Sequence, residues 1–261
     1  MAQISISSAS QDQKSQSVSQ TDRLPAWKSV FLHLFPGLLA LAVFTWIARP
    51  VESLGYPSIM PWLISVSLTM IPFELGYLYY EGRRRNGRFS LDGVVLYRQP
   101  LKAGQVLLWT ALTFLVVLIL FILSGPVTNY LETVVFAWLP DWFVQDTGLE
   151  GGGFSKAALL LVNVASIFVF MIGVPIIEEL YFRGYLLPRL AHLGIWAVVI
   201  NAFLFALYHF TTPWGLVFRF LSALPLAYSA YRKQNLLPAI IVHFIVNSVD
   251  VVMGFAYVLN M

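Results

Sequence analysis

The sequence predicts an all-α fold, a polytopic transmembrane helical bundle with about seven spans. Three observations predict it. Of the 261 residues, 58% are hydrophobic and only 11% charged, where a soluble domain carries roughly a quarter charged residues. The apolar residues gather into stretches close to the ~20 residues that a helix needs to cross a bilayer. The basic residues collect between those stretches, where membrane topology explains them. The net charge of +3 therefore reads as topology, and nucleic acid is not an expected partner; the lipid bilayer is. The chain has no Cys, which excludes disulfides and thiol catalysis.

Residues 1–25, opening "MAQISISSASQDQKSQSVSQ", are rich in Ser and Gln and predict a disordered N-terminal tail. They show neither the apolar core of a secretory signal nor the arginines of a transit sequence before Arg23. Residues 26–156 hold the first spans and their loops, with spans expected near 29–48, 57–80 and 103–124. The second carries Pro61, Pro72 and Glu74, and Glu74 reads as a helix-pairing or interfacial residue. Residues 157–261 hold the last spans, near 157–187, 194–211, 214–231 and 236–259. The stretch 157–187 is long enough to tilt, or to break at Pro175. Arg219, in the next to last span, reads like Glu74 as pairing or interfacial. No fixed period repeats along the chain, so a solenoid is not expected.

Orientation follows from Lys and Arg in the short loops. The loop after the second span holds Arg83, Arg84, Arg85, Arg88, Arg98 and Lys102, whereas 126–156 holds Lys156 with Glu132, Asp141, Asp146 and Glu150. The basic loop is expected to face the cytoplasm, which places the N-terminus inside an integral, multi-pass protein. Trp138 and Trp142 suit an interfacial amphipathic turn, and the glycines at 151–153 a flexible loop.

Residues 157–261 are expected to form the catalytic core, because three polar patterns recur there at helical spacing. In "EELYFR" (178–183), Glu179 and Arg183 are four apart and share a helix face, so they can pair. Glu178 is turned by about 100° from its neighbour and stays available. "FALYH" (205–209) aligns Phe205 with His209, and "HFIVN" (243–247) aligns His243 with Asn247. An acid, two imidazoles and an amide on separate spans would each be costly against lipid. They call for one shared polar cavity, which is equipment for hydrolysis.

These patterns, EExxxR, FxxxH and HxxxN in that order on apolar helices, resemble the CPBP family of intramembrane proteases, named for CAAX-protein and bacteriocin processing. The resemblance covers roughly residues 160–250 and implies an endopeptidase acting on a peptide or protein substrate at the membrane. It implies Glu178 as the base that activates water and His209 as a group that holds and polarises that water. His243 and Asn247 become the donors to the developing oxyanion, and Glu179, Arg183 and Phe205 support them. Metal is left open. Glu178, His209 and His243 could supply three ligands to Zn2+ with a fourth position for water, but no HExxH pair is present, and glutamate-activated water without metal is slightly preferred. Two other classes stand beside this reading. One is a non-enzymatic membrane scaffold or immunity protein of the same family. The other is a transporter with Glu178 in a proton relay, for which no inverted repeat is visible.

A depth mismatch accompanies the peptidase reading. With the N-terminus inside, His209 lies about 22 Å along its span from the cytoplasmic end, deeper than a Glu178 near the end of 157–187. A longer fourth span, an interfacial start to the fifth, or a different topology would each repair it.

Overall fold

The computed structural model describes residues 22–143 and 153–261, and the described residues are helical throughout apart from loops and one isolated β-bridge. The helices are α1 (Ala26–Glu52), α2 (Ile59–Leu68), α3 (Met70–Asn86), α4 (Ala103–Tyr130), α5 (Lys156–Ser166), α6 (Val174–Glu178), α7 (Leu187–Leu190), α8 (Ile195–Leu207), α9 (Leu216–Lys233) and α10 (Leu237–Asn260). Five segments of the described residues are long and apolar enough to cross a membrane by length and composition: Ala26–Glu52, Ile59–Asn86, Ala103–Val135, Lys156–Leu193 and Leu237–Asn260. The shorter apolar α8 and the more polar α9 bring the set to the expected seven.

The tail boundary needs correction. Residues 1–21 lie outside the described residues, but 22–25 are packed. Asp22 pairs with Arg85 at 2.6 Å, and Leu24 joins the main apolar core. An apolar side chain and a carboxylate facing a basic helix end are what hold these residues down. Of the tryptophans expected at an interface, Trp138 is exposed, whereas Trp142 packs beside Phe44 and under the Arg49 guanidinium, 5.7 Å away. Of the glycines at 151–153, the first two lie outside the described residues, and Gly153 takes a positive φ of 68°.

Prolines explain where the helices depart from regular α geometry, since each withholds an N–H from the carbonyl four residues earlier. Between α2 and α3, Pro72 leaves the chain to jog at Thr69 (φ −124°, ψ −70°). Ser65, Ser67 and Thr69 also bond back to backbone carbonyls there, at 2.6–2.7 Å, which bends helices. Of the two alternatives for 157–187, a tilt or a break at Pro175, the break does not occur. Lys156–Leu193 is one 38-residue segment that takes up its prolines in two π-helical stretches, Ile167–Gly173 and Glu179–Leu186. π-Helical insertions of this kind recur at functional sites.

Pro188 frees the carbonyl of Gly184, and the basic loop takes it. The Leu96 N–H donates to Gly184 O at 2.8 Å, Arg189 Nη1 donates to Val94 O at 3.1 Å, and Val94 and Val95 are buried in the core. A Cβ on Gly184 would stand 2.7 Å from Val95 Cγ1, so glycine is what lets the loop approach. On the other side of the same stretch, the Asn201 amide on α8 donates to Phe182 O (3.0 Å) and to His33 Nε2 on α1 (3.1 Å). His33 in turn donates from Nδ1 to Ser29 O (2.8 Å). Tyr181 donates its hydroxyl to Leu32 O at 2.8 Å. The segment with the two glutamates is thus clamped from two sides by buried polar contacts, and the outer helices provide its apolar cover.

Candidate active site

Glu178 closes α6 and Glu179 opens the π-helical stretch that follows. Both are buried. Glu178 lies in the interior of the 38-residue segment rather than near its end, which favours the longer fourth span as the repair of the depth mismatch. The i, i+4 pairing survives the local change of helix type: Arg183 Nη1 is 3.2 Å from Glu179 Oε1, with both side chains fully buried. Arg183 also places its guanidinium 3.9 Å from the centre of the Phe205 ring, a cation–π contact strengthened by desolvation.

His243 on α10 stands between the two glutamates. Its Nδ1 lies 3.0 Å from Glu179 Oε1, and because a carboxylate accepts, Nδ1 carries the proton. Nε2 is then 3.6 Å from Glu178 Oε2, too far for a direct hydrogen bond. Among the described residues Glu178 Oε2 has no hydrogen-bond partner, while Oε1 accepts from the Tyr208 hydroxyl. His209, just past the end of α8, donates from Nδ1 to Phe205 O at 2.9 Å, which leaves its Nε2 without that proton in the neutral ring. Phe205 is the apolar hub of the group, with ring centres 5.1 Å from His209 and 6.2 Å from His243.

His209, His243, Asn247 and Phe205 all line one cavity of about 210 Å³. Asn247 donates one amide hydrogen to Phe170 O at 3.0 Å, in the first π-helical stretch, and its second amide hydrogen makes no hydrogen bond among the described residues. The structure therefore brings Glu178, Glu179, Arg183, Phe205, His209 and His243 into one contiguous set, with Asn247 on the cavity wall.

Two residues that spacing does not reveal belong to this set. Tyr208 holds Glu178, yet it is one position from His209 in "FALYH" and follows no spacing of its own. Its approach depends on Gly37 of α1, where a Cβ would collide with the Tyr208 carbonyl. Arg219 lines the cavity rather than pairing between helices or sitting at an interface, because the first turn of α9 points into it. Glu74 also departs from its expected place: it is buried on α3, and it makes no ion pair among the described residues, its Oε1 having no partner.

Among the described residues no group of three or more His, Asp or Glu side chains is arranged to hold an ion. Of the three suggested ligands, His243 Nε2 and Glu178 Oε2 face each other at 3.6 Å, and His209 is tied to its own helix. No step below is routed through a metal.

Residues 160–249 match the family model described as type II CAAX prenyl endopeptidase Rce1-like. The matched stretch contains all three motifs and spans about a third of the chain. No curated protein and no solved structure matches.

Proposed function

We propose that this chain, which carries an Rce1-like domain of the CPBP family over residues 160–249, is an intramembrane endopeptidase. It hydrolyses a peptide bond in a membrane-anchored or membrane-proximal substrate, of the prenylated CAAX or bacteriocin-leader type, with water activated by Glu178. One observation carries the reading. The buried Glu178 carboxylate and the Nε2 lone pair of the partly buried His243 are two acceptors 3.6 Å apart, a pair that a water molecule, with two hydrogens to donate, satisfies at once.

Glu179 fixes His243 in the tautomer that exposes this lone pair, and Tyr208 fixes the Glu178 carboxylate from the other oxygen. In the reaction, Glu178 takes a proton from water as the water oxygen bonds to the scissile carbonyl carbon. The proton then passes to the departing amide nitrogen as the C–N bond breaks, giving a carboxylic acid and an amine. Asn247, on the cavity wall, offers its second amide hydrogen to the oxyanion, a contact typically worth a few kcal/mol, and the neutral His209 keeps Nε2 as an acceptor there. The role of His243 thus moves from oxyanion donor to holder of water. In this reading the basic loop and the N-terminus face the cytoplasm, following the excess of Lys and Arg in that loop.

Glu178→Gln in the purified protein is expected to abolish cleavage of a prenylated peptide while the thermal unfolding profile is kept. Activity retained in that variant would remove the mechanism. Activity that survives stringent chelation supports water activation by glutamate alone, and loss restored by zinc reverses it.

A further inference from the structure

Three cavities follow one another along α5 and α10, and the proposed chemistry uses only the innermost. α10 starts beside the basic loop, where Arg98 and Asn235 form the isolated bridge, and runs away from it. α5 runs antiparallel to α10, since Gly254 stands against the Asn163 side chain and Asn247 against the Phe170 carbonyl. The start of α5 therefore marks the end of the bundle opposite the basic loop. There an outer cavity of about 640 Å³ lies between the loops at Gly55 and Phe154, with Ala158 and Leu161 of α5 on its wall. One turn further along α5, Asn163 and Ser166 line a middle cavity of about 200 Å³ together with Asn247 and Asp250 of α10. Asn247 and Asp250 also line the inner cavity, the one that holds His209 and His243.

The middle cavity is polar at a depth where apolar walls would cost less. Asp250 lies about 20 Å along α10 from its start at Leu237 and makes no ion pair among the described residues. An ionisable side chain inside a membrane protein faces a partner or a water-filled space, and here the space is what the structure offers. At ~30 Å³ per molecule such a cavity holds a few waters, each needing two to four polar partners, which Asn163, Ser166, Asn247 and Asp250 supply. Hydrolysis consumes one water for each bond cut, and a peptide seated in the inner cavity closes that approach. We infer that the middle cavity is a water route, which resupplies Glu178 and His243 past Asp250 and Asn247 from the end of the bundle opposite the basic loop. This rests on the peptidase reading and adds to it the source of the second reactant.

Because the chain has no Cys, Ser166→Cys places a single thiol in the middle cavity. A cationic methanethiosulfonate reagent reports water there, since it reacts with the thiolate, which apolar surroundings suppress. In the purified full chain, Ser166→Cys is expected to react at least roughly 10-fold faster than Leu115→Cys on the lipid face of α4. Val251→Cys, also on the cavity wall, should behave as Ser166→Cys does. The adduct should lower kcat for a prenylated peptide roughly 10-fold with KM little changed, the signature of a lost reactant other than the peptide, and dithiothreitol should restore it. In a Glu178→Gln, Ser166→Cys double variant, labelling should persist with saturating prenylated peptide bound. Labelling of both cavity thiols no faster than at Leu115→Cys would overturn the route while the peptidase stands. Labelling that the bound peptide blocks, or an adduct that leaves kcat unchanged, would do the same. An adduct that raises KM instead would overturn the route by making the middle cavity a peptide subsite. An unaltered chain that cuts no peptide overturns the peptidase reading, and the route with it.

Discussion

α4 and the segment 174–190 are both apolar enough to read as membrane helices, yet they face opposite surroundings. In α4 only Thr113, Val117 and Ser124 are buried, and the helix contains no charged residue. Leu107, Leu115, Phe121 and Ile122 stand exposed around it. In 174–190 nearly every side chain is buried, including Glu178, Glu179, Arg183 and Arg189. In water the more apolar helix would be the one to hide. In lipid, hydrocarbon is as good a neighbour as Leu, so the helix that must be surrounded by protein is the one with polar groups to satisfy.

The sharpest way to break that comparison is to remove one partner of the buried ion pair. Arg183→Leu leaves Glu179 uncompensated and is expected to destabilise the fold by about 3–5 kcal/mol. Leu115→Ala on the lipid face of α4 is expected to stay within about 0.5 kcal/mol. Thermal unfolding of both variants in the same detergent checks this, and equal losses would end the distinction. Next in size is Gly37→Val. Its side chain would press on the Tyr208 backbone, an overpacking worth roughly 1–3 kcal/mol, and it should slow cleavage by moving Tyr208 away from Glu178.

Tyr208→Phe sharpens the comparison inside the buried region. It deletes only the hydroxyl that holds Glu178, so kcat is expected to fall roughly 10- to 100-fold, as for one hydrogen bond to a charged group, with unfolding little changed. The smallest effect lies outside the membrane. Its hydrogen bond with Arg85 holds the Asp22 carboxyl below its ordinary value of 3.8. A depressed acid contributes stability that is present above that value and is lost as pH falls through its folded pKa. The pair is partly exposed, so the contribution at neutral pH is expected to be below about 1 kcal/mol. Unfolding of Asp22→Asn compared with the unaltered chain across pH 3–7 should show a difference at neutral pH that disappears toward the acid end.

The helices that carry the site were legible because apolar length is a local property, and membrane-crossing length is set by the bilayer. Glu179 with Arg183, and His209 with the Phe205 ring and carbonyl, were legible because a spacing of four aligns side chains on any near-helical backbone. The docking of the basic loop was not. "LDGVVLY" reads as a cytoplasmic connection, and its place in the core follows from Pro188 freeing the Gly184 carbonyl, a consequence felt only when the two segments meet.

What the sequence determined by itself was an all-helical membrane chain and the residue types of an acid–imidazole–amide site. What only the tertiary structure decided was which atoms of those residues face one another: His243 between two adjacent glutamates, Tyr208 on the spare oxygen of Glu178, Arg219 turned into the cavity. The reason is physical. Periodicity fixes the direction of a side chain relative to its own helix, whereas the protonation, tautomer and partner of a buried polar group depend on the neighbouring helix it meets.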